Sequence, residues 1–461
     1  MEDKMLNCFK AYDIRGQINL DIDSDIAYRI GRAVAQHLDA RAVVIGHDAR
    51  ATSPEFASAV ARGVLDAGGD VLQIGLCGTE EMYWAVTEFQ ACAGIEVTAS
   101  HNPIEYNGMK IVKSGSRPLD DEVDFQPIKK LASFQEWQNS KKSGILRDVS
   151  SLARSRYVDR VLSFVEVTNL KPLRIVVNSG NGAAGPTFDA IAHRLDDMGA
   201  SLEFIRVNHD PDPTFPNGIP NPLLPKNHSA TGDVVRFHEA DFGVAFDGDF
   251  DRCFFFDDEG KFVPGEYVVG LLAALFLTKE AGAKIVHDPR VIWNTIDIVG
   301  SLGGHPVQSK TGHAFIKQTM RRENAIYGGE MSAHHYFRDF AYCDSGMIPW
   351  VLVAELISSS DKTLSEWLTD RFEKFPSSGE INFTVPDADM AIERVLAAYR
   401  EGATLDEMDG VGLSFRDWRF NLRRSNTEPL VRLNVESRGG SSLIAKRVDG
   451  ISLELMGKKC D

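Results

Sequence analysis

The chain has few cysteines, and none is spaced for a metal site or a disulfide framework. The six cysteines among 461 residues stand at positions 8, 77, 92, 253, 343 and 460, with no CxxC pair. This spacing gives no sign of a zinc site or of a small disulfide-stabilised scaffold. The first residues, MEDK, show no signal-peptide pattern. We therefore expect a protein of the reducing cytoplasm.

The sequence also lacks a long apolar run and a positive net charge. Its longest apolar run, 268–277, is too short to cross a bilayer and predicts a buried helix. The net charge of −16 argues against nucleic acid or an anionic membrane as a partner. An anionic small molecule would then need a local group of arginine and lysine side chains. The oligomeric state is left open by these features.

One pattern of strand, helix, glycine and strand occurs three times along the chain. The predicted first strands lie at 42–46, 174–177 and 284–286, the helices end at glycines 68, 199 and 303, and the second strands lie at 71–74, 202–207 and 306–308. Glycine is a common residue just past a helix end. Alternating strands and helices indicate α/β domains with a parallel or mixed sheet.

The last ninety residues follow a different pattern. A linker is predicted at 375–379, a strand at 381–385, a helix at 388–399, and strands at 412–416 and 431–435. This order is typical of an α+β domain with antiparallel strands. We expect three related α/β domains at 1–150, 151–255 and 256–372, and a smaller C-terminal α+β domain at 373–461. The active site is expected in the central cleft where these domains meet.

Two polar segments carry residues suited to phosphoryl transfer. The segment TASHNP at 98–103 presents a hydroxyl in a tight turn, and DGDFDR at 247–252 presents three carboxylates at alternate positions. Alternate side chains of an extended segment point the same way, so three carboxylates can converge on one hard cation such as Mg²⁺. Taken alone, the first segment also fits an ordinary turn and the second a solvated loop. An EF-hand loop does not fit, because Arg252 stands where that loop needs glycine.

A glycine-rich segment also matches the pattern of a dinucleotide-binding site. GNGAAG at 180–185 matches the dinucleotide-binding fingerprint, follows a predicted strand and opens a helix. The fingerprint needs an acidic residue at the end of the next strand, whereas Glu203 lies near its beginning. A glycine turn that packs a helix against a strand is therefore favoured over a nicotinamide site.

Two further loops are rich in polar side chains. GGEMSAHH at 328–335 sets Glu330 and Ser332 at alternate positions, where both can face a ligand and bond sugar hydroxyls. RRSNTEP at 423–429 concentrates guanidinium, hydroxyl and amide donors that suit a phosphate dianion. Taken alone, the first loop also fits an ordinary turn before a helix near 348–356, and paired arginines are usually solvated.

Together these segments resemble the α-D-phosphohexomutase family, and within it the bacterial phosphomannomutases of polysaccharide and GDP-mannose synthesis. The resemblance extends from FKAYDIRG at 9–16 to the loop at 423–429, with four loops in the family's order. It implies four domains, of which the fourth is a lid-like module. Phe250 departs from the family pattern, since many relatives have glycine there, but the carboxylates keep their spacing.

The resemblance also implies roles for the matching residues. Ser100 carries the transferable phosphate and contributes to an Mg²⁺ site with Asp247, Asp249 and Asp251. The implied catalytic residues are Ser100, His101, Lys110 and Arg252. The implied substrate-binding residues are Glu330, Ser332, Arg423, Ser425, Asn426, Thr427, Arg15 and His313. Proton transfer is expected from Lys110, if burial and positive neighbours lower its pKa, or from His101.

The implied reaction interconverts mannose 6-phosphate and mannose 1-phosphate through a phosphoserine enzyme and a hexose 1,6-bisphosphate, which also serves as activator. GDP-mannose synthesis lies downstream. Dual activity on mannose and glucose stays open, because EMS at 330–332 resembles the loop of mannose- and glucose-handling members. Two rivals remain: a phosphatase with Asp247 as nucleophile, which would ignore loss of Ser100, and a sugar-phosphate-binding protein without turnover.

Overall fold

The structure is a computed structural model that describes residues 5–10, 13–138, 140, 142–424 and 430–459. Internal contacts divide the chain into two compact units. The first consists of Met1–Phe262 and His334–Asp361, and the second of Val263–Ala333 and Lys362–Asp461. Within the described ranges, no helix combines the length and the apolar character needed to cross a membrane.

The first sheet of the first unit is mixed, as predicted. Its elements are β1 (Ile14–Gln17), α1 (Ser24–His37), β2 (Ala42–His47), α2 (Ser53–Asp66), β3 (Asp70–Leu76), α3 (Thr79–Glu88), β4 (Ala93–Val97), β5 (Tyr106–Lys113), β6 (Arg117–Pro118), α4 (Gln126–Phe134) and β7 (Leu146–Asp148). The strand order is β1-β5-β4-β2-β3-β7, with β6 beside β5. Strand β2 is parallel to β3 and β4, whereas β5 is antiparallel to β4 and β1.

Glycine lets the first two helices pack at backbone distance. A Cβ on Gly31 of α1 would lie 2.3 Å from the Val60 carbonyl oxygen of α2, and one on Gly63 would lie 2.1 Å from the Tyr28 carbonyl oxygen. Asp23 begins α1 by accepting a hydrogen bond from the Ile26 amide at 2.8 Å. These close contacts fix α1 and α2 on one side of the sheet that carries the serine loop.

The second domain repeats the pattern. It contains α5 (Ser150–Leu162), β8 (Leu173–Asn178), α6 (Ala184–Asp197), β9 (Leu202–Val207), α7 (Ser229–His238), β10 (Phe242–Phe246), β11 (Cys253–Phe256) and β12 (Phe262–Val263). Strand β8 is parallel to β9 and β10, and β10 is antiparallel to β11. Gly185, in the first turn of α6, allows close packing, since a Cβ there would lie 2.1 Å from the His209 carbonyl oxygen. Glu203 forms an ion pair with Arg174 on the neighbouring strand.

The third copy of the pattern supplies elements to both units. It contains α8 (Gly265–Lys279), β13 (Lys284–His287), α9 (Trp293–Ser301), β14 (His305–Gln308), α10 (His313–Glu323), β15 (Tyr327–Gly329), β16 (His335–Phe337), β17 (Cys343–Asp344), α11 (Met347–Ser358) and α12 (Leu364–Lys374). Strand β13 is parallel to β14 and β15 in the second unit. Strands β16 and β17 form an antiparallel pair in the first unit. The buried helix predicted at 268–277 is the middle of α8.

The C-terminal part of the second unit is an antiparallel sheet with helices, as predicted. It contains β18 (Ser377–Thr384), α13 (Ala388–Tyr399), β19 (Thr404–Asp406), β20 (Val411–Ser414), β21 (Trp418–Arg424), β22 (Leu430–Ser437), α14 (Ser441–Leu455) and β23 (Lys458–Lys459). The strand order is β19-β20-β21-β22-β18-β23. The predicted linker at 375–379 is wrong from Ser377 onward, because β18 begins there. A register shift between Ser377 and Glu380, with Gly379 at φ 64°, accommodates the glycine within the strand.

Candidate active site

Ser100 lies in the loop that follows β4, with its backbone in the left-handed region. Its φ is 47°, and the residue is 4% exposed. The Ser100 hydroxyl donates a hydrogen bond to Asp247 Oδ2 at 2.8 Å, and its Oγ lies 3.1 Å from His101 Nδ1. The Ser100 amide donates to Thr98 Oγ1 at 2.8 Å. The loop therefore presents the hydroxyl directly to the aspartate segment, which lies 147 positions further along the chain.

Asp48 and Arg50, which follow β2, hold the serine loop in place. Asp48 Oδ2 accepts a hydrogen bond from the Thr98 hydroxyl at 2.7 Å. The Arg50 guanidinium donates to four main-chain carbonyl oxygens of the loop and of the start of β5, those of Ser100, Asn102, Pro103 and Tyr106. A planar guanidinium with five donors suits this task. Neither residue was among those predicted for the site.

The three predicted carboxylates converge between β10 and β11. Asp247, Asp249 and Asp251 are each at most 2% exposed, and a ligand oxygen of each lies within 4.8 Å of the others. The Oδ1 atom of each has no hydrogen-bond partner in the part of the chain that the structure describes. Burial and the neighbouring Asp249 raise the pKa of Asp251 to about 6. Burial raises the pKa of Asp249, but Lys110 lowers it more.

This donor set fits a magnesium ion. Buried carboxylates repel one another unless a cation lies among them, and each of these three keeps one oxygen without a hydrogen bond to any residue that the structure describes. Oxygen ligands from carboxylates are those that Mg²⁺ prefers. The nearby Ser100 hydroxyl, bonded to Asp247, brings a fourth oxygen to the same place.

Three positive or polar side chains surround the carboxylates. Lys110 donates to Asp249 Oδ2 at 2.8 Å and also bonds Asp251. Arg252 Nε lies 3.1 Å from Asp247 Oδ2, and its Nη2 donates to His101 Nδ1 at 2.6 Å. Burial and Arg252 lower the pKa of His101 to about 4, so His101 is neutral near pH 7.

Proton transfer by Lys110 was predicted on the condition that its pKa is lowered, and its surroundings raise that pKa instead. Burial lowers the pKa of the Lys110 ammonium, but Asp249 and Asp251 raise it more, and the net shift is upward. Two carboxylates in direct contact outweigh both burial and the nearby Arg15 guanidinium. Lys110 is therefore a firmly charged group in this arrangement, with only 6% of its surface exposed.

The aspartate loop approaches the serine loop at backbone distance. A Cβ on Gly248 would lie 2.5 Å from the Ser100 carbonyl oxygen. Phe250, the departure from the family pattern, has φ 44° and is fully buried. Its ring fits over Gly78, where an added Cβ would lie 2.4 Å from a ring carbon. The larger residue is therefore accommodated by a glycine elsewhere, and the carboxylates on either side stay in place.

His334 and Asp344 join the carboxylates in the first unit. His334 Nδ1 lies 3.0 Å from Asp344 Oδ2 and 3.9 Å from Asp251 Oδ1. Burial lowers the pKa of His334, but the two carboxylates raise it more. The histidine was within the segment GGEMSAHH but was not predicted for the site. The sequence did contain an indication of this role, because His334 continues the alternation of Glu330 and Ser332, two positions further on.

In the second unit, Glu330 and Ser332 are gathered around Arg290. Arg290 Nη2 donates to Ser332 Oγ at 3.2 Å and lies 3.8 Å from Glu330 Oε1. Asp288 accepts hydrogen bonds from Arg290 and from the Met331 amide, the latter at 2.9 Å. Asp288 and Arg290 thus hold the loop at 330–332 and were not predicted.

The remaining predicted residues have separate positions. Arg15 donates to the Thr98 carbonyl oxygen at 2.9 Å, and His313 begins α10 directly after Gly312, whose amide donates to Glu330. Arg423 on β21 donates to Glu380 at 3.0 Å. Arg424 forms an exposed ion pair with Asp389. The predicted residues Ser425, Asn426 and Thr427 lie outside the described part of the chain.

Comparison with known families gives four consecutive matches. The models for the phosphoglucomutase/phosphomannomutase alpha/beta/alpha domains I, II and III match residues 6–136, 155–260 and 264–375. The model for the phosphoglucomutase/phosphomannomutase C-terminal domain matches residues 380–452.

Relatives of known name match nearly the whole chain. A phosphomannomutase of Escherichia coli strain K12 is 55% identical over 447 residues, covering 96% of this chain and 98% of its own. A protein of Xanthomonas campestris named phosphohexose mutases is 51% identical and covers 98% of this chain and 100% of its own. A crystal structure of a phosphoglucomutase/phosphomannomutase family protein from Burkholderia thailandensis has a TM-score of 0.85 at 29% identity, covering 98% of both chains.

Proposed function

We propose that this chain, which belongs to the phosphoglucomutase/phosphomannomutase family, is a phosphomannomutase that interconverts mannose 6-phosphate and mannose 1-phosphate. It is an isomerase that acts by intramolecular phosphoryl transfer. The observation that carries this proposal is the hydrogen bond from the Ser100 hydroxyl to Asp247 within a cluster of three buried carboxylates. The 55% identity to a phosphomannomutase over nearly the full chain supports mannose as the sugar of the substrate.

The proposed nucleophile and donor is Ser100. Free serine is a weak nucleophile, so storing a phosphoryl group on Oγ makes the resting enzyme the donor. In the first step the Oγ–phosphorus bond of phosphoSer100 breaks, and a bond forms between that phosphorus and the free sugar hydroxyl. The hydroxyl proton passes to a protein group, and the product is the 1,6-bisphosphate. After the intermediate has turned round, the bond between its other phosphorus and the sugar oxygen breaks and that phosphorus bonds Ser100 Oγ. The proton returns to the freed sugar oxygen, and mannose 1-phosphate leaves.

Mg²⁺ is the proposed cofactor, bound by Asp247, Asp249, Asp251 and an oxygen on Ser100. When bound, it offsets charge on the transferring phosphoryl oxygens. The protein's own part is to hold these oxygens together. Lys110 and Arg252 contact the carboxylates from the side and add positive charge near the reacting oxygen.

Lys110 and His101 are the two proposed proton-transfer groups: the charged Lys110 ammonium can only donate a proton, whereas the neutral His101 imidazole can accept one. Lys110 is held by two of the carboxylates, and His101 Nδ1 lies 3.1 Å from Ser100 Oγ while accepting a hydrogen bond from Arg252. His101 therefore contacts the reacting serine directly, whereas Lys110 contacts the two carboxylates that neighbour Asp247, the hydrogen-bond partner of Ser100. A general acid or base must have this reach before its pKa matters.

Recognition of the sugar phosphate is proposed for residues of the second unit. Glu330 and Ser332 would bond sugar hydroxyls, with His313 beside them. Arg423, Ser425, Asn426 and Thr427 would hold the non-reacting phosphate, and Arg15 is a further contact in the first unit. A sugar that must bind both ways round needs one fixed phosphate site and hydroxyl contacts common to both orientations. A fourth domain that opens and closes would let the intermediate turn while excluding water.

The test is turnover with Mg²⁺ and a trace of hexose 1,6-bisphosphate, which we propose as activator. Mannose 1-phosphate, glucose 1-phosphate and glucosamine 1-phosphate are offered in parallel. We expect mannose 6-phosphate to form without inorganic phosphate, and EDTA to abolish its formation. Release of inorganic phosphate instead would favour the phosphatase with Asp247 as nucleophile.

Dual activity on mannose and glucose phosphates is a second candidate. It is favoured by the 51% identity to a relative named for hexoses in general. Comparable rates with mannose 1-phosphate and glucose 1-phosphate would establish it. A cytoplasmic location and supply of GDP-mannose synthesis complete the proposal.

A further inference from the structure

Three guanidinium groups meet a single carboxylate in the second unit. Glu380 Oε2 lies 3.0 Å from Arg423 Nη2 and 3.5 Å from Arg290 Nη1. Glu380 Oε1 lies 3.5 Å from Arg432 Nη1. The Glu380 side chain is 20% exposed, and that of Arg290 only 5%. The carboxylate is thus enclosed by the cations rather than displayed to solvent.

The strand register explains why these side chains share one face. Arg423 on β21 is directly opposite Arg432 on β22, and Arg432 is directly opposite Asn382 on β18. Glu380 lies two positions before Asn382, so its side chain is on the same face of the sheet. Like charges directly opposite each other destabilise a sheet. Glu380 offsets this repulsion as the counter-ion of the arginine pair.

Two of these arginines have hydrogen-bond donors that Glu380 does not use. The Nε atoms of Arg423 and Arg432 are buried and have no acceptor among the described residues. Burial raises the pKa of Glu380, but Arg290, Arg423 and Arg432 lower it more, so the group is ionised near neutral pH. Paired guanidiniums around an anion are the arrangement that binds phosphate. Here a carboxylate of the protein occupies the position of the anion.

We propose that Glu380 is an internal counter-ion that the substrate's non-reacting phosphate displaces from Arg423, so that Glu380 sets how tightly sugar phosphates are held. The inference rests on the proposed function. A phosphate dianion brings two negative charges to the arginines where the carboxylate brings one. Competition from Glu380 weakens the binding of every phosphate at this place. The bisphosphate intermediate can then leave the arginines, turn and bind again.

The experiment uses the full chain and inorganic phosphate as the probe, with binding measured by isothermal titration calorimetry. For Glu380→Gln we expect the Kd for phosphate to fall about fivefold or more, because the competing charge is removed. The matched control is Glu393→Gln, an exposed residue of α13 that changes the net charge equally. Its Kd should equal that of the wild type. Adding Arg423→Ala to Glu380→Gln should abolish the gain.

The alternative outcomes are separable. Phosphate binding that is unchanged or weaker in Glu380→Gln, with a wild-type melting temperature, would overturn the inference. If that variant fails to fold, Glu380→Asp serves instead, since it draws the carboxylate back by one methylene and should give a smaller gain. An unchanged Kd in Glu380→Asp would then overturn it. The binding assay needs no turnover, so absence of mutase activity would refute the proposed function alone.

Discussion

Arg50 and Arg290 occupy matching positions in two copies of the repeated domain. Each stands two residues after an aspartate that follows a strand, in HDAR at 47–50 and HDPR at 287–290. Each guanidinium contacts the loop after the neighbouring parallel strand, the serine loop for Arg50 and the loop at 330–332 for Arg290. One positioning device therefore supports both the proposed nucleophile and the proposed sugar contacts.

Loss of Arg50 should reduce turnover more than substrate affinity. Arg50→Ala removes the donor to four carbonyl oxygens of the serine loop and the start of β5, and small misplacements of a reacting group cost about 100-fold in rate. We expect kcat to fall by about that factor with KM within about threefold of wild type. Steady-state kinetics are the measurement. Arg62→Ala, at an exposed position of α2, is the control and should behave as wild type.

Replacement of Ser100 should separate a mutase from a phosphatase. Ser100→Ala keeps the loop but removes the oxygen that would carry phosphate, so turnover of mannose 1-phosphate should fall at least about 10⁴-fold. Intact-mass measurement of the wild type after incubation with hexose 1,6-bisphosphate should show one added phosphate that is missing in the variant. Near-normal activity in Ser100→Ala would refute the phosphoserine role.

Neutralising one aspartate should change the metal dependence. Asp249→Asn removes a charged ligand and a partner of Lys110, so more Mg²⁺ should be needed for half-maximal activity, by about tenfold or more. The measurement is activity against Mg²⁺ concentration. Asp197→Asn, exposed at the end of α6, is the control. An unchanged Mg²⁺ profile for Asp249→Asn would remove Asp249 from the ligand set.

A methyl group on Gly248 should push the aspartate loop away from the serine loop. In Gly248→Ala the new Cβ would lie 2.5 Å from the Ser100 carbonyl oxygen, so the two loops must separate. We expect a loss in kcat of about tenfold to 100-fold, while the melting temperature changes little because the contact is local. Gly199→Ala is the comparison, since open space surrounds that position but its φ of 84° is strained. A kcat loss as large in Gly199→Ala would show that the effect is not specific to the contact with Ser100.

The buried Glu266 should make stability depend on pH. Burial raises the pKa of Glu266 from 4.5 to about 7, so the folded state binds the proton more tightly than the unfolded state. Stability from this group is present below pH 4.5 and is lost as the pH rises to about 7, by about 3 kcal/mol in total. The melting temperature of Glu266→Gln relative to wild type should therefore rise between pH 5 and pH 8. Glu393→Gln should show no such trend.

Some of the site was predictable from spacing alone, and some was not. The three aspartates alternate within six residues, so their convergence follows from the geometry of an extended chain. Their contact with Ser100 joins residues 147 positions apart, and the chemistry of the two segments suggested it where spacing along the chain could not. Asp48 and Arg50 were not predicted because a charged pair after a strand is common in proteins. Their positioning role is indicated only by the comparison of HDAR at 47–50 with HDPR at 287–290.

The fold shows the same division between local and long-range information. The repeated strands and helices were predicted because the residues of each element form a local pattern, and because a glycine marks the end of each repeated helix. Strand β21 was not predicted, although Trp418, Phe420 and Leu422 alternate with polar residues. Its polar Arg419 and Asn421 are buried and bonded to main-chain oxygens elsewhere in the second unit, which no local pattern reveals.

The hydrogen bond between Ser100 and Asp247 joins two domains that are synthesised one after the other. Asp247 is synthesised 147 residues after Ser100. A growing chain therefore holds the serine before it holds any of the three aspartates. Until the second domain has emerged and folded, Ser100 lacks its partner Asp247, and the proposed phosphoryl exchange has no place to occur. The order of the two loops in the chain thus means that the proposed metal site can form only after more than half of the chain has been made.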